Sequence, residues 1–196
     1  MIARYERVHL VDPTDHQYRR FRGDCASMNT TSGAGLDARA LFARDAEKTL
    51  RRFLSTTLAL APRRVIHFHE RRGSRLVEKY REIDAVARSD RRLLLFEVKT
   101  TRSAAGVNQG IRQLETAREI LTTIVPEITT CLLVVDTDDA ANSEVATHLS
   151  LSPKLLLIGS IEELSTDPRT HVMPFSVADI EELAHAPVHL EWRDAA

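Results

Sequence analysis

Three residues near the middle of this chain of 196 could do chemistry together: Asp84, Glu97 and Lys99. Glu97 and Lys99 sit two apart in Leu93 to Thr100, a run that reads as a strand, so both side chains leave one face while Phe96 and Val98 leave the other. A second strand, Ile83 to Ala87, comes just before it, with Ser89-Asp90-Arg91-Arg92 between the two. A two-residue turn at Asp90-Arg91 sets Asp84 directly opposite Glu97, with opposed Cβ atoms about 4.5–5.5 Å apart. Two carboxylates and an ammonium then share a patch with Val86, Leu93 and Leu95. Like charges opposed across strands repel, and desolvating them adds to the cost. A divalent cation resolves the conflict, because Mg²⁺ is typically held by one or two carboxylates together with water and substrate phosphate. Lys99 could orient or activate an attacking water and offset charge gathering on a phosphate. The plain alternative is a surface Glu–Lys pair beside an edge-strand Asp.

Two helices carry polar residues toward this patch. From Leu36 to about Leu60 apolar residues recur at helical spacing through Ala43, Leu50 and Leu54, and Glu47 shares their face. A carboxylate on an apolar stripe needs a partner; Arg51 at i+4 is one candidate, the metal patch another. Residues 109–124 are helical by the same test, and there Gln113 borders the face of Ala117 and Ile120 with Gln109 one turn earlier. Solvation of both glutamines is the alternative.

The remaining elements make a sheet-and-helix pattern. Val65–His69 reads as a strand, followed by a Gly73-Ser74 turn. Cys131–Val135 is a short continuous apolar run, as in a strand covered on both faces. Helices near 142–150, 160–165 and 176–185 and a strand at Leu155–Ile158 complete it. The expected class is α/β: a mixed central β-sheet flanked by helices, a single domain with N- and C-terminal additions. Residues 1–35 form a polar, Arg-rich N-terminal arm ending in the small-residue loop Asn29–Gly35, whose glycines are followed by no Gly-Lys-Ser/Thr of a phosphate loop.

The pattern Glu82-Ile83-Asp84, twelve residues, then Glu97-Val98-Lys99-Thr100 resembles the PD-(D/E)xK nuclease superfamily, also called restriction-endonuclease-like, in the version found in small Holliday-junction-resolvase-like members. The order of elements agrees over residues 36–137, leaving 138–196 as an acidic C-terminal α/β extension packed on that core. The resemblance implies a restriction-endonuclease-like core and an Mg²⁺- or Mn²⁺-dependent endonuclease. It implies that Asp84 and Glu97 ligate the metal with the backbone carbonyl of Val98, that Lys99 is catalytic, that Glu47 assists the metal shell and that Gln113 positions phosphate or water. Ile83 replaces the proline of the family's name and removes no ligand.

Charge points the same way. The formal net charge is only −1, yet residues 1–118 carry 24 basic against 14 acidic groups and residues 119–196 carry 3 against 14, so a basic part is joined to an acidic one. Arginine suits phosphate through its planar fork, and Arg51, Arg102 and Arg112 with Gln109 are candidate nucleic-acid contacts. Few aromatics are present for stacking unpaired bases, which favours duplex, with DNA preferred over RNA. The second reading is a catalytically silent nuclease-fold module that binds nucleic acid or a partner protein; the arm or the acidic third could dock a partner or a second copy. His67 and His69 share a strand face without a third ligand at zinc-like spacing, and Asp136-Thr-Asp138-Asp139 lacks the Gly and Glu of a calcium loop. Two distant cysteines, no long apolar run and no signal-like N-terminus lead to an expected cytoplasmic location without membrane contact.

Overall fold

The protein is described from a computed structural model covering residues 4–28, 37–89, 92–138 and 142–186. The chain opens with β1 (Tyr5–Val11) and α1 (His16–Met28), then α2 (Ala38–Thr57), β2 (Val65–Arg72) and β3 (Arg75–Glu82). After β4 (Ala85–Ser89) and β5 (Arg92–Thr101) come α3 (Ala104–Leu121), β6 (Glu127–Asp136) and α4 (Glu144–Leu151). It closes with β7 (Leu155–Leu157), a single 3₁₀ turn at Ile161–Glu163, β8 (Thr170–Phe175) and α5 (Val177–His185).

Five strands in the order β4-β5-β6-β8-β7 make the main sheet, antiparallel between β4 and β5 and parallel thereafter. This is the mixed, helix-flanked α/β sheet expected. Its centre is β6, where Cys131 to Val135 are all buried, as a strand packed on both faces requires. One face carries Val86, Leu93, Leu95, Leu132 and Val134 against α3; the other carries Ala85, Leu94, Phe96 and Leu133 against α2 and α5. Each helix presents a buried stripe at helical spacing, Ala46-Leu50-Leu54 on α2 and Val107-Leu114-Ala117-Leu121 on α3. Asp37 caps α2 through the Ala40 N–H at 2.7 Å, and Ser103 caps α3.

Strands β1, β2 and β3 form a second, antiparallel sheet whose inner face, with Tyr5, Ile66 and Phe68, joins the α3 side of the core. Arg72 pairs with Arg75 across the Gly73-Ser74 turn, and Gly73 at φ 61 takes the left-handed backbone that glycine tolerates best. Residues 5–28, within the expected arm, therefore supply a strand and a helix rather than a loose extension; the Asn29–Gly35 loop lies outside the described residues. The acidic third is likewise woven in, since β8 lies between β6 and β7. The expected elements gave no sign of β8, whose Thr-His-Val-Met-Pro-Phe sequence carries a proline, polar ends and a buried histidine. Among the described residues no helix is long and apolar enough to cross a membrane.

Candidate active site

Register decides whether the carboxylates meet. Ala85 pairs with Phe96, Val86 with Leu95 and Ser89 with Arg92, which is the alignment expected of the hairpin, although Asp90 and Arg91 lie outside the described residues. Asp84 stands one residue before β4, on the extension of that register toward Glu97. Its Oδ2 accepts the Val98 N–H at 2.7 Å, which fixes the carboxylate against β5. Lys99 Nζ donates to Glu97 Oε1 at 2.7 Å, on the α3 side of the sheet.

Electrostatics mark the pair as unusual. Glu97 is only 6% exposed, and burial, then the charge of Asp84, push its carboxyl up to about 7 against the pull of Lys99. Burial also raises Asp84, opposed by the Val98 N–H and by the Lys99 and Arg64 charges. Glu47 on α2 is raised by burial and then by Asp84, so the Asp84 charge is felt at both Glu47 and Glu97. Two carboxylates whose charges disfavour each other are the kind of pair whose repulsion a hard divalent cation would relieve. Among the described residues no three His, Cys, Asp or Glu side chains come together in a group that could hold a metal ion, so Glu47 does not complete a ligand set with Asp84 and Glu97. Mg²⁺ seldom uses a full protein cage, relying on one or two carboxylates with water and substrate.

The segment bearing Asp84 is clamped from both sides. Arg51 on α2 donates to the Asp84 carbonyl at 2.6 Å, and Arg64 donates to the Ile83 carbonyl at 2.9 Å while pairing with Glu82 at 2.8 Å. The Tyr18 hydroxyl donates to Glu82 at 2.6 Å, which ties α1 to the same corner. Arg51 thus neither forms an ion pair with Glu47 nor reaches outward as a phosphate contact; it holds backbone. Nothing in the spacing of Arg51 or Arg64 announced this, because backbone carbonyls carry no sequence label. Gln113 is half-buried on α3, with Oε1 shielded from solvent and unpartnered, as befits a group waiting for a ligand or water. Gly110, one turn before it, lets the Lys99 stem pass: a Cβ there would stand 2.8 Å from Lys99 Cγ. Gln109, Arg102 and Arg112 are all exposed.

The other candidates have structural work. His67 Nε2 meets Glu78 Oε1 at 2.8 Å and its Nδ1 meets His9 Nε2 at 3.1 Å, while the ring stacks on Tyr80. His69 lies beside it, ring centroids 5.5 Å apart. Asp136 accepts from the Ser143 hydroxyl and from the Asp138 N–H, organising the loop into α4; Asp139 lies outside the described residues. Compared with protein-family models, with curated proteins and with solved structures, the chain matches none.

Proposed function

We propose that the chain is a divalent-metal-dependent nuclease that hydrolyses phosphodiester bonds, with DNA as the preferred substrate and the cytoplasm as its place of action. The observation that carries the reading is the half-buried Asp84 and buried Glu97 brought together by one hairpin register, with Lys99 2.7 Å from Glu97. The superfamily resemblance of Glu82–Thr100 supports it.

Asp84 and Glu97 would hold Mg²⁺ or Mn²⁺, with the Val98 carbonyl beside them. The ion, when bound, polarises phosphoryl oxygens and makes water more acidic. Asp84 cannot swing away, because its Oδ2 is bonded to the Val98 N–H and its carbonyl to Arg51. Lys99 spends one of three N–H donors on Glu97 and aims the rest at the phosphate oxygens and the attacking water, where negative charge grows. Gln113, half-buried on α3 one turn after Gly110, would position phosphate or water, as the resemblance implies. A water oxygen bonds to phosphorus, the bond to the leaving sugar oxygen breaks, and that oxygen takes up a proton.

Incubation of the purified protein with supercoiled and linear DNA in Mg²⁺, Mn²⁺ or EDTA tests the reading. Cleavage that needs the ion and falls at least about 100-fold in Asp84→Ala and Lys99→Ala is expected, from the size of single-donor losses in such sites. Metal-independent or unchanged cleavage in the variants would sink it, and salt-sensitive binding without cleavage would instead identify the silent binding module.

A further inference from the structure

The active-site corner continues into a groove that none of the site residues explains. Between the inner face of the three-stranded sheet and α3 lies a cavity of about 310 Å³, with Tyr5, Phe68 and Ile120 as its floor and Arg4, Lys79 and Arg81 on its walls. Lys79 and Arg81 project from the same face of β3, because they are two residues apart. Arg81 leads back to the site: its positive charge is felt at Glu97, and it forms no ion pair with any described residue. At the far end a single carboxylate, Glu70, pairs with Lys79 at 2.7 Å, with Arg72 at 3.1 Å and with Arg4 at 3.3 Å. Three cations, Arg4, Lys79 and Arg81, therefore line the groove with one carboxylate, Glu70, while Arg72 and Glu119 pair with Glu70 and Arg4 from outside it.

We infer that this groove is a phosphate-binding track that seats the substrate backbone next to the bond that is cut. Three arguments converge on a polyphosphate backbone. Alternate residues on a strand lie about 6.8 Å apart, so Lys79 and Arg81 present charges at a spacing close to that of successive phosphates on an extended nucleic-acid strand. Glu70 holds the flanking cations in fixed positions, so little side-chain entropy is lost when a phosphate arrives. Arg81 lies three residues before Asp84 and its charge is felt at Glu97, so a phosphate held between Lys79 and Arg81 is close to the Asp84 corner. The inference rests on the nuclease reading for what is cut, but not for what is bound.

Binding is measured by fluorescence anisotropy on a labelled duplex of about two helical turns, across a salt series with EDTA present, in an Asp84→Asn background that separates binding from cleavage. Arg81→Gln alone breaks no ion pair and is expected to fold normally; Lys79→Gln with Arg81→Gln removes both central charges. The double change is expected to weaken binding by about tenfold or more near 0.1 M salt and to reduce the slope of log K against log salt by about 2. Lys48→Gln with Lys154→Gln, the same charge change elsewhere on the surface, is expected to leave the slope nearly unchanged. An equal loss in both doubles, or an unaltered slope in the first, overturns the track. No binding by the Asp84→Asn parent at low salt overturns it as well. Metal-dependent cleavage with an unaltered slope removes the track and leaves the nuclease standing; a lowered slope without cleavage does the reverse.

Discussion

At the scale of single residues, the informative quantity is the proton on Glu97. Its carboxyl is raised to about 7, far above its ordinary value, because burial and the Asp84 charge both disfavour ionisation. A carboxyl that holds its proton more tightly when folded gives stability that is fully present at low pH and is eroded as pH rises from its unfolded value through 7. Glu97→Gln mimics the protonated form and should not suffer that erosion. In EDTA, calorimetry at pH 5.5 and pH 8 is therefore expected to show wild type losing stability that the variant keeps, a difference of about 3 °C or more in Tm. Identical pH dependence in the two proteins would mean that Glu97 titrates as an ordinary surface carboxylate. The same variant should lose cleavage, since the group that costs stability is the one proposed to hold the metal.

At the scale of elements, α3 is the part most finely fitted to the site. Gly110 is a poor helix former, yet an added Cβ would lie 2.5 Å from Leu132 Cδ1 and 2.8 Å from Lys99 Cγ. Leu132 is wholly buried and cannot withdraw, so Gly110→Ala should cost about 1–3 kcal/mol despite the gain in helix propensity. Its cleavage should fall as well, because the Lys99 stem is displaced. Gly23→Ala on α1, where a Cβ meets nothing within 4 Å, should instead gain about 0.5–1 kcal/mol; chemical denaturation of both variants checks the contrast. What the sequence made legible follows the same division. The register of β4 on β5, which carries Asp84 toward Glu97, and the faces of β5 were readable because alternation and a two-residue turn leave few choices. The clamp by Arg51 and Arg64 was not, since its acceptors are carbonyls brought together by tertiary packing. Neither was β1, whose Glu-Arg-Val-His sequence alternates weakly and whose ladder breaks between Glu6 and His9, with Arg7 at φ 55.

At the scale of the molecule, the division of charge does not follow a division of structure. Residues 119–196 look separable by composition, but β8 pairs along β6 from Cys131 to Val135, and Val172, Met173, Ile158, Ile161 and Ile180 are buried in the two halves of one core. The acidic residues of the 3₁₀ turn and α5 belong with β7 and β8. α5 packs against α2, the helix that bears Glu47 and Arg51, and Arg52 donates to the Ala184 carbonyl at 3.0 Å, so part of the acidic third lies in the helical layer beside the candidate site. A chain cut after residue 137 would expose one whole edge of β6 and strip Leu133 and Val135 of Ile158, Ile161, Met173 and Ile180 on the face away from α3. Removing that much apolar cover far exceeds the 5–15 kcal/mol by which a domain is stable. Such a fragment is therefore expected to aggregate or to show no cooperative unfolding by circular dichroism, while the whole chain melts in one transition. A soluble fragment with its own sharp transition would mean that the basic part is a domain in its own right. Failure of the fragment ties the basic and acidic segments into one cooperative unit, so that the charge asymmetry of the sequence belongs to a single domain and not to two.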